Sequence, residues 1–290
     1  MISRFRGILF DKDGTLLDFE ATWAPLFRAL ALELAEGDET AARNLLRAGG
    51  MDPLTGRIQA GSVLGAGHTH DVVRLWFPSL TGAPFAAMAE RIDGRFHAYG
   101  ARSSVAVPDL LATLATLDRA GYAMGVATND STEAARAALR CVAAERFLPH
   151  VFGYDSVPRP KPAADIVHAF AAAIGVAPSE VVVVGDNVHD IEMARAADAG
   201  AALGVLTGNS RRRDLAPRAD AVLASIRDLP AWLATGIILS RPRANRPDRA
   251  LARSRRGSAE ECDPLTARCH PAPRRAPSDI PRTRLHREAR

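Results

Sequence analysis

Two carboxylates one residue apart, Asp11 and Asp13, close the apolar run Ile8-Leu9-Phe10 and are followed by Gly14 and Thr15. Gly7 to Phe10 suit a short buried strand. Side chains of an extended chain repeat every second residue, so Asp11 and Asp13 are expected to point the same way. Such a pair could hold a divalent cation, or divide into a nucleophile and a proton carrier. A strand end running into an Asp-Gly turn explains the same residues without any chemistry. By the same alternation Lys12 faces away from both carboxylates and takes no role.

Three further segments put polar residues just after an expected strand. They are Thr128-Asn129, the loop reaching Lys161, and Asp186 with Asp190. The elements that must position them alternate from Val107 to Thr235. Helices are expected at 108–120, 131–147, 162–174, 191–197 and 211–215. Strands are expected at 122–127, 151–154, 181–184, 202–206 and 221–224, and 228–235 closes the fold. Val181-Val182-Val183-Val184 is a β-branched run of the kind buried on both faces of a parallel sheet. This order argues for an α/β fold, a Rossmann-like parallel sheet with helices on both faces. In such a sheet the carboxyl ends of the strands share one edge, where ligands sit. All four segments should therefore converge.

Residues 19–100 read as all helix. Asp18 or Thr22 caps a helix to about Glu36, with Trp23, Leu26, Phe27, Leu30 and Leu34 at helical spacing. Asp38 opens another to about Ala48, and helices follow at 70–76 and 84–97. The expected organisation is an α/β core of 1–17 and 101–239, an inserted helical cap of 18–100, and a tail of 240–290.

The four segments together resemble the haloacid dehalogenase-like hydrolase superfamily, and within it the phosphoglycolate phosphatase-like group. Asp11-Lys12-Asp13-Gly14-Thr15 matches its first motif, Thr128 the second, Lys161-Pro162 the third, and Gly185-Asp186 with Asp190 the fourth. The match spans about residues 7–235. The resemblance implies a phosphoric monoester hydrolase working through an aspartyl-phosphate. It makes Asp11 the nucleophile and Asp13 the acid and base. Thr128, Asn129 and Lys161 would bind phosphate, and Lys161 would also supply charge to Asp11. A Mg²⁺ cofactor would sit on Asp11, the Asp13 backbone carbonyl and Asp186, with Asp190 behind. It also implies a small phosphorylated metabolite as substrate, 2-phosphoglycolate first among them. A sugar-phosphate mutase of the same fold and a non-catalytic phosphate-binding module are the alternatives; a dehalogenase needs neither Asp13 nor the metal site.

Each residue also has a plainer reading. Thr128 could belong to a helix start capped by Asn129 or Asp130, Lys161 could be a surface residue, Asp186 a strand end, and Asp190 a helix cap. Pro160 precedes Lys161, and Asp198 stands before Ala199-Gly200, where relatives often carry Gly. Substrate choice falls to cap loops. Gly67-His68-Thr69-His70-Asp71 could meet a substrate carboxylate or a metal, Gly49-Gly50-Met51-Asp52 is a second candidate, and His189 could border the site.

The net charge of +4 is uneven. Residues 241–290 carry 14 Arg against 6 acidic residues, a balance of +8, which leaves −4 for the rest. That tail reads as disordered, and it lacks the aromatic interleaving of a base-binding segment, so no specific nucleic acid is expected. Lys12 and Lys161 are the only lysines beside 35 arginines, which suggests a need for a compact ammonium there. No apolar run of about 18 residues exists, so no membrane span is expected. Cys141, Cys262 and Cys269 are too scattered for a disulfide framework, and a reducing cytoplasm is the expected compartment.

Overall fold

The structure is a computed structural model that describes residues 4–235. The tail expected at 240–290, with Cys262 and Cys269, lies outside the described residues.

Strands β1 (Gly7–Asp11), β2 (Ala123–Ala127), β3 (His150–Phe152), β4 (Val181–Gly185), β5 (Ala201–Val205) and β6 (Ala221–Leu223) form one sheet in the order β3-β2-β1-β4-β5-β6. Every pairing is parallel. The chain winds from β1 to β3 in one direction and from β4 to β6 in the other. The reversal falls between β1 and β4, where a crevice opens at the carboxyl ends. Those ends carry Asp11 and Gly185-Asp186.

Period-two alternation sends the strand side chains into two cores. Ile8, Phe10, Val182 and Val184 join Leu114 and Leu139 on one side. Leu9, Val181 and Val183 join Ile166, Phe170 and Ile191 on the other. All four valines of β4 are fully buried, as a central parallel strand requires. Helices α6 (Leu110–Arg119), α7 (Thr132–Cys141), α8 (Asp165–Ala173), α9 (Val188–Ala196) and α10 (Arg212–Leu215) precede or connect the strands, and α11 (Leu229–Thr235) follows the last one. Helix α7 stops at Cys141 rather than 147. Ala143 takes a left-handed φ of 56° there, and Glu145–Phe147 form a separate 3₁₀ turn.

Between β1 and β2 run α1 (Phe19–Leu34), α2 (Glu39–Ala48), α3 (Val63–Ala66), α4 (Thr69–Trp76) and α5 (Gly82–Ser103). Asp18 caps α1 by accepting from Ala21 N at 2.9 Å, and Asp38 caps α2 from Thr40 N at 2.7 Å. These helices bury their own core, which includes Trp23, Phe27, Leu30, Leu46, Trp76 and Ile92. Helix α5 continues to Ser103, past the boundary expected at residue 100, because no Pro follows Pro84 until Pro108.

The end of α9 accounts for Asp198. Ala199 N donates to Ala194 O at 2.9 Å and Asp198 N to Arg195 O at 3.2 Å, the paired bonds of a Schellman cap. That cap needs a left-handed residue, and Asp198 has φ 53°. Glycine takes this conformation without the Cβ clash. Asp198→Gly is therefore expected to stabilise the fold by about 0.5–1 kcal/mol, read in a thermal melt as a Tm rise of about 1–4 °C.

Candidate active site

The loop after β1 is tightly folded. Leu16 N and Leu17 N both donate to Lys12 O, at 2.9 and 3.0 Å, and Gly14 N donates to Leu17 O at 2.8 Å. Gly14 sits at φ 86°, a conformation open to glycine at little cost. This turn breaks the strand alternation directly after Asp11. It overturns the expectation that Lys12 faces away from the carboxylates. Lys12 is fully buried, its ammonium ion-paired with Asp13 and, at 2.9 Å, with Asp130. It also lies 5.4 Å from the centre of the Trp23 ring. Trp23 Nε1 in turn donates to Asp13 Oδ1 at 2.8 Å. Asp13 is thus held from both sides.

Asp11 is buried beside Lys161, whose Nζ reaches Asp11 Oδ1 at 2.5 Å and Asp190 Oδ1 at 2.8 Å. The loop bearing Lys161 is fixed at two points upstream and downstream. Asp155 accepts from Thr132 N and Oγ1 at the start of α7, at 2.9 and 2.8 Å. Arg159 forks onto Asp165, the first residue of α8. Asp190 does not cap α9. Asn187 is the cap, and Asp190 returns its Oδ2 to Asn187 N at 3.0 Å, which leaves Oδ1 for Lys161.

Thr128 is buried, and its Oγ1 accepts from Asp130 N at 3.1 Å. The cap of α7 is Ser131, not Asn129 or Asp130. Asn129 Oδ1 is buried with no hydrogen-bond partner among the described residues. Asp186 lies against backbone. Cβ atoms placed on Gly14 and Gly208 would stand 2.7 and 1.9 Å from its Oδ2. Asn209 N donates to that oxygen at 3.1 Å, and Thr207 Oγ1 to Gly14 O at 2.6 Å. Sequence reasoning missed this 207–209 segment. Its signal was a small polar Thr-Gly-Asn run just after a strand of the same sheet edge.

Oxygens of Asp11, Asp186 and Asp190 lie within 4.8 Å of one another. Three buried carboxylates face one ammonium, an excess of two negative charges. The imbalance appears in the proton affinities of Asp11 and Asp186. Burial pushes Asp11 up to about 7 against the pull of Lys161. Burial, then Asp11 and Asp190, hold Asp186 well above the usual carboxylate range. Burial works against the Lys161 charge, but Asp11 and Asp190 outweigh it and raise the ammonium above an ordinary lysine. Asp11 Oδ2 is buried without a hydrogen-bond partner among the described residues. A free lone pair in an under-neutralised oxygen cluster fits a hard divalent cation. The Asp13 carboxylate, engaged by Lys12 and Trp23, is not part of that cluster.

These residues form one end of a cavity of about 720 Å³, within the usual range for small-molecule sites. Its other walls come from α1, the 64–71 segment and α5, and they include Phe19, Trp23, Phe27, His68, His70 and Phe96. His189 lines it too. Gly49-Gly50-Met51-Asp52 does not. Met51 is buried in the helical core, and Asp52 closes a surface turn by accepting from Leu54 N at 2.9 Å.

A model of the haloacid dehalogenase-like hydrolase family matches residues 5–198. The phosphoglycolate phosphatase of Xylella fastidiosa is 31% identical over 192 residues, 66% of this chain and 76% of its own. The N-acetylmuramic acid 6-phosphate phosphatase of Pseudomonas aeruginosa is 29% identical over 204 residues, 68% of this chain and 79% of its own. Among solved structures, a predicted phosphoglycolate phosphatase from Haemophilus somnus superposes with a TM-score of 0.63. It shares 21% identity and covers 80% of this chain and 99% of its own.

Proposed function

We propose that this chain, which belongs to the haloacid dehalogenase-like hydrolase family, is a Mg²⁺-dependent phosphatase. It would hydrolyse a small phosphomonoester through an aspartyl-phosphate on Asp11. The observation that carries the reading is the free, buried Oδ2 of Asp11 at the end of the cavity, with its other oxygen fixed by Lys161. The core would comprise 1–17 and 101–239. Residues 18–100 would form a cap over the crevice.

A phosphate dianion repels an anionic nucleophile, so the site must first neutralise it. Lys161 supplies one positive charge, and Thr128 and Asn129 hold phosphate oxygens. The Asp11 and Asp186 carboxylates and the Asp13 carbonyl would hold Mg²⁺, with Asp190 steadying Lys161 behind them. When bound, the cation spreads the charge of the phosphate oxygens and of Asp11. A carboxylate oxygen of Asp11 would attack phosphorus and the bond to the alcohol oxygen break; Asp13 would give that oxygen a proton in the protonated state, in which it is no longer ion-paired with Lys12. Asp13 then takes a proton from water as the water attacks phosphorus. The bond to Asp11 breaks and inorganic phosphate leaves.

Phosphate release from a panel of phosphomonoesters tests this reading. Turnover should need Mg²⁺ and vanish with a chelator; phosphate binding without turnover would overturn it. The same assay checks the backbone cradle. Gly208→Ala drives a Cβ into Asp186. The Mg²⁺ concentration for half-maximal activity is expected to rise about 10- to 100-fold, as when outer-shell partners of other metal sites are lost.

A further inference from the structure

The charge of the cavity wall opposite Asp11 narrows the substrate, given the phosphatase reading above. Helix α5 lines the cavity with Ala86, Ala89, Glu90, Asp93, Phe96 and His97, one stripe at three- and four-residue spacing. Its charged members are both acidic. Thr69 Oγ1 donates to Asp93 Oδ1 at 3.1 Å and fixes that carboxylate. The arginines of the same helix are spent elsewhere. Arg91 and Arg95 both pair with Glu33 on α1, at 2.6 and 2.7 Å, and neither lines the cavity. Among the described residues, Arg74 is the one Arg or Lys that the helical segment adds to the lining. It pairs with Asp71 at 3.5 Å and lies over the Phe85 ring. The histidines of the 67–71 loop add hydrogen-bonding groups but no permanent charge.

A chain with 35 arginines has thus placed two carboxylates on the wall opposite Asp11, where the one guanidinium that the described residues bring to the lining, Arg74, is mostly exposed and paired with Asp71. A second anionic group would meet like charge from these two exposed carboxylates, which disfavours it. We propose that Glu90 and Asp93 select a phosphomonoester whose alcohol carries hydroxyl or ammonium donors and no carboxylate or second phosphate. Trp23 and Phe96 also line the cavity and give that wall an apolar, aromatic part.

The test compares kcat/KM for glucose 6-phosphate, glucosamine 6-phosphate, 2-phosphoglycolate and fructose 1,6-bisphosphate, with p-nitrophenyl phosphate as a general probe. The neutral and cationic sugars should exceed both double anions by about tenfold or more. In Asp93→Asn and Glu90→Gln, singly and together, the ratio of glucosamine 6-phosphate to 2-phosphoglycolate should fall by about tenfold. Neutral isosteres at exposed helix positions leave folding intact, which circular dichroism checks. A preference of the wild type for 2-phosphoglycolate or the bisphosphate overturns the inference and leaves the phosphatase reading standing. So does a ratio that neither substitution moves. Failure to hydrolyse every substrate, the general probe included, overturns the phosphatase reading and this inference with it.

Discussion

Asp11→Asn is expected to lower Mg²⁺-dependent phosphate release by about a thousandfold or more, since it removes the atom that bonds phosphorus. Folding should survive the change. The wild-type carboxylate is an expensive group: burial and the nearby Asp190 raise it from 3.8 to about 7 despite Lys161. An acid raised in the folded state binds more protons there than when unfolded. Without a divalent cation, stability should therefore fall as pH rises from about 4 to about 7, with no such loss below the unfolded value. Asn carries no proton to lose, and Lys161 keeps Asp190 as a partner. Thermal melts in chelator should show the wild-type Tm declining across that window and a flatter profile for Asp11→Asn. A variant that is inactive because it is unfolded would instead melt low at every pH. Full retention of activity would exclude Asp11 as nucleophile.

Much of this site was legible because strands in a parallel sheet end on one edge. The alternation of β-branched runs with amphipathic helices places Asp11, Thr128, Lys161 and Asp186 on that edge from sequence alone, and the sheet does bring them together. What escaped depended on backbone leaving regular structure. Strand alternation assigned Lys12 to the wrong side because the chain turns at Asp13-Gly14, and a period-two rule has no meaning within a turn. The 207–209 segment meets Asp186 through the Asn209 backbone N–H and a missing Cβ at Gly208, so its only signal was a small polar run after a strand. Asp190 is expected behind the metal ligands, with a helix cap as its plainer reading; the Asn187 side chain caps α9, and the reciprocal bond leaves Asp190 Oδ1 to Lys161. The acidic stripe of α5 was present in the sequence, but periodicity alone does not say which face of a helix meets a cavity.

Lys12→Met should be the most destabilising single change in the loop after β1. The ammonium is fully buried, yet Asp13 and Asp130 more than offset that burial and raise its proton affinity above an ordinary lysine. Removing one partner of a buried ion pair costs about 3–5 kcal/mol, because the remaining charge stays behind uncompensated. Here the side chains of Asp13 and Asp130 are 20% and 40% exposed, so water can recover part of the loss. About 3 kcal/mol is expected, a Tm decrease of about 6–12 °C. Asp130→Asn removes only the more exposed partner and should cost about 1 kcal/mol or less. Lys12→Arg should not restore stability, since a planar fork cannot occupy a space shaped for a compact ammonium against the Trp23 ring. Equal, small losses for Lys12→Met and Asp130→Asn in urea unfolding would show that the ammonium adds nothing beyond a surface pair. The expected inequality follows from the chain's own economy with lysine: one of its two lysines holds Asp11, and the other holds Asp13.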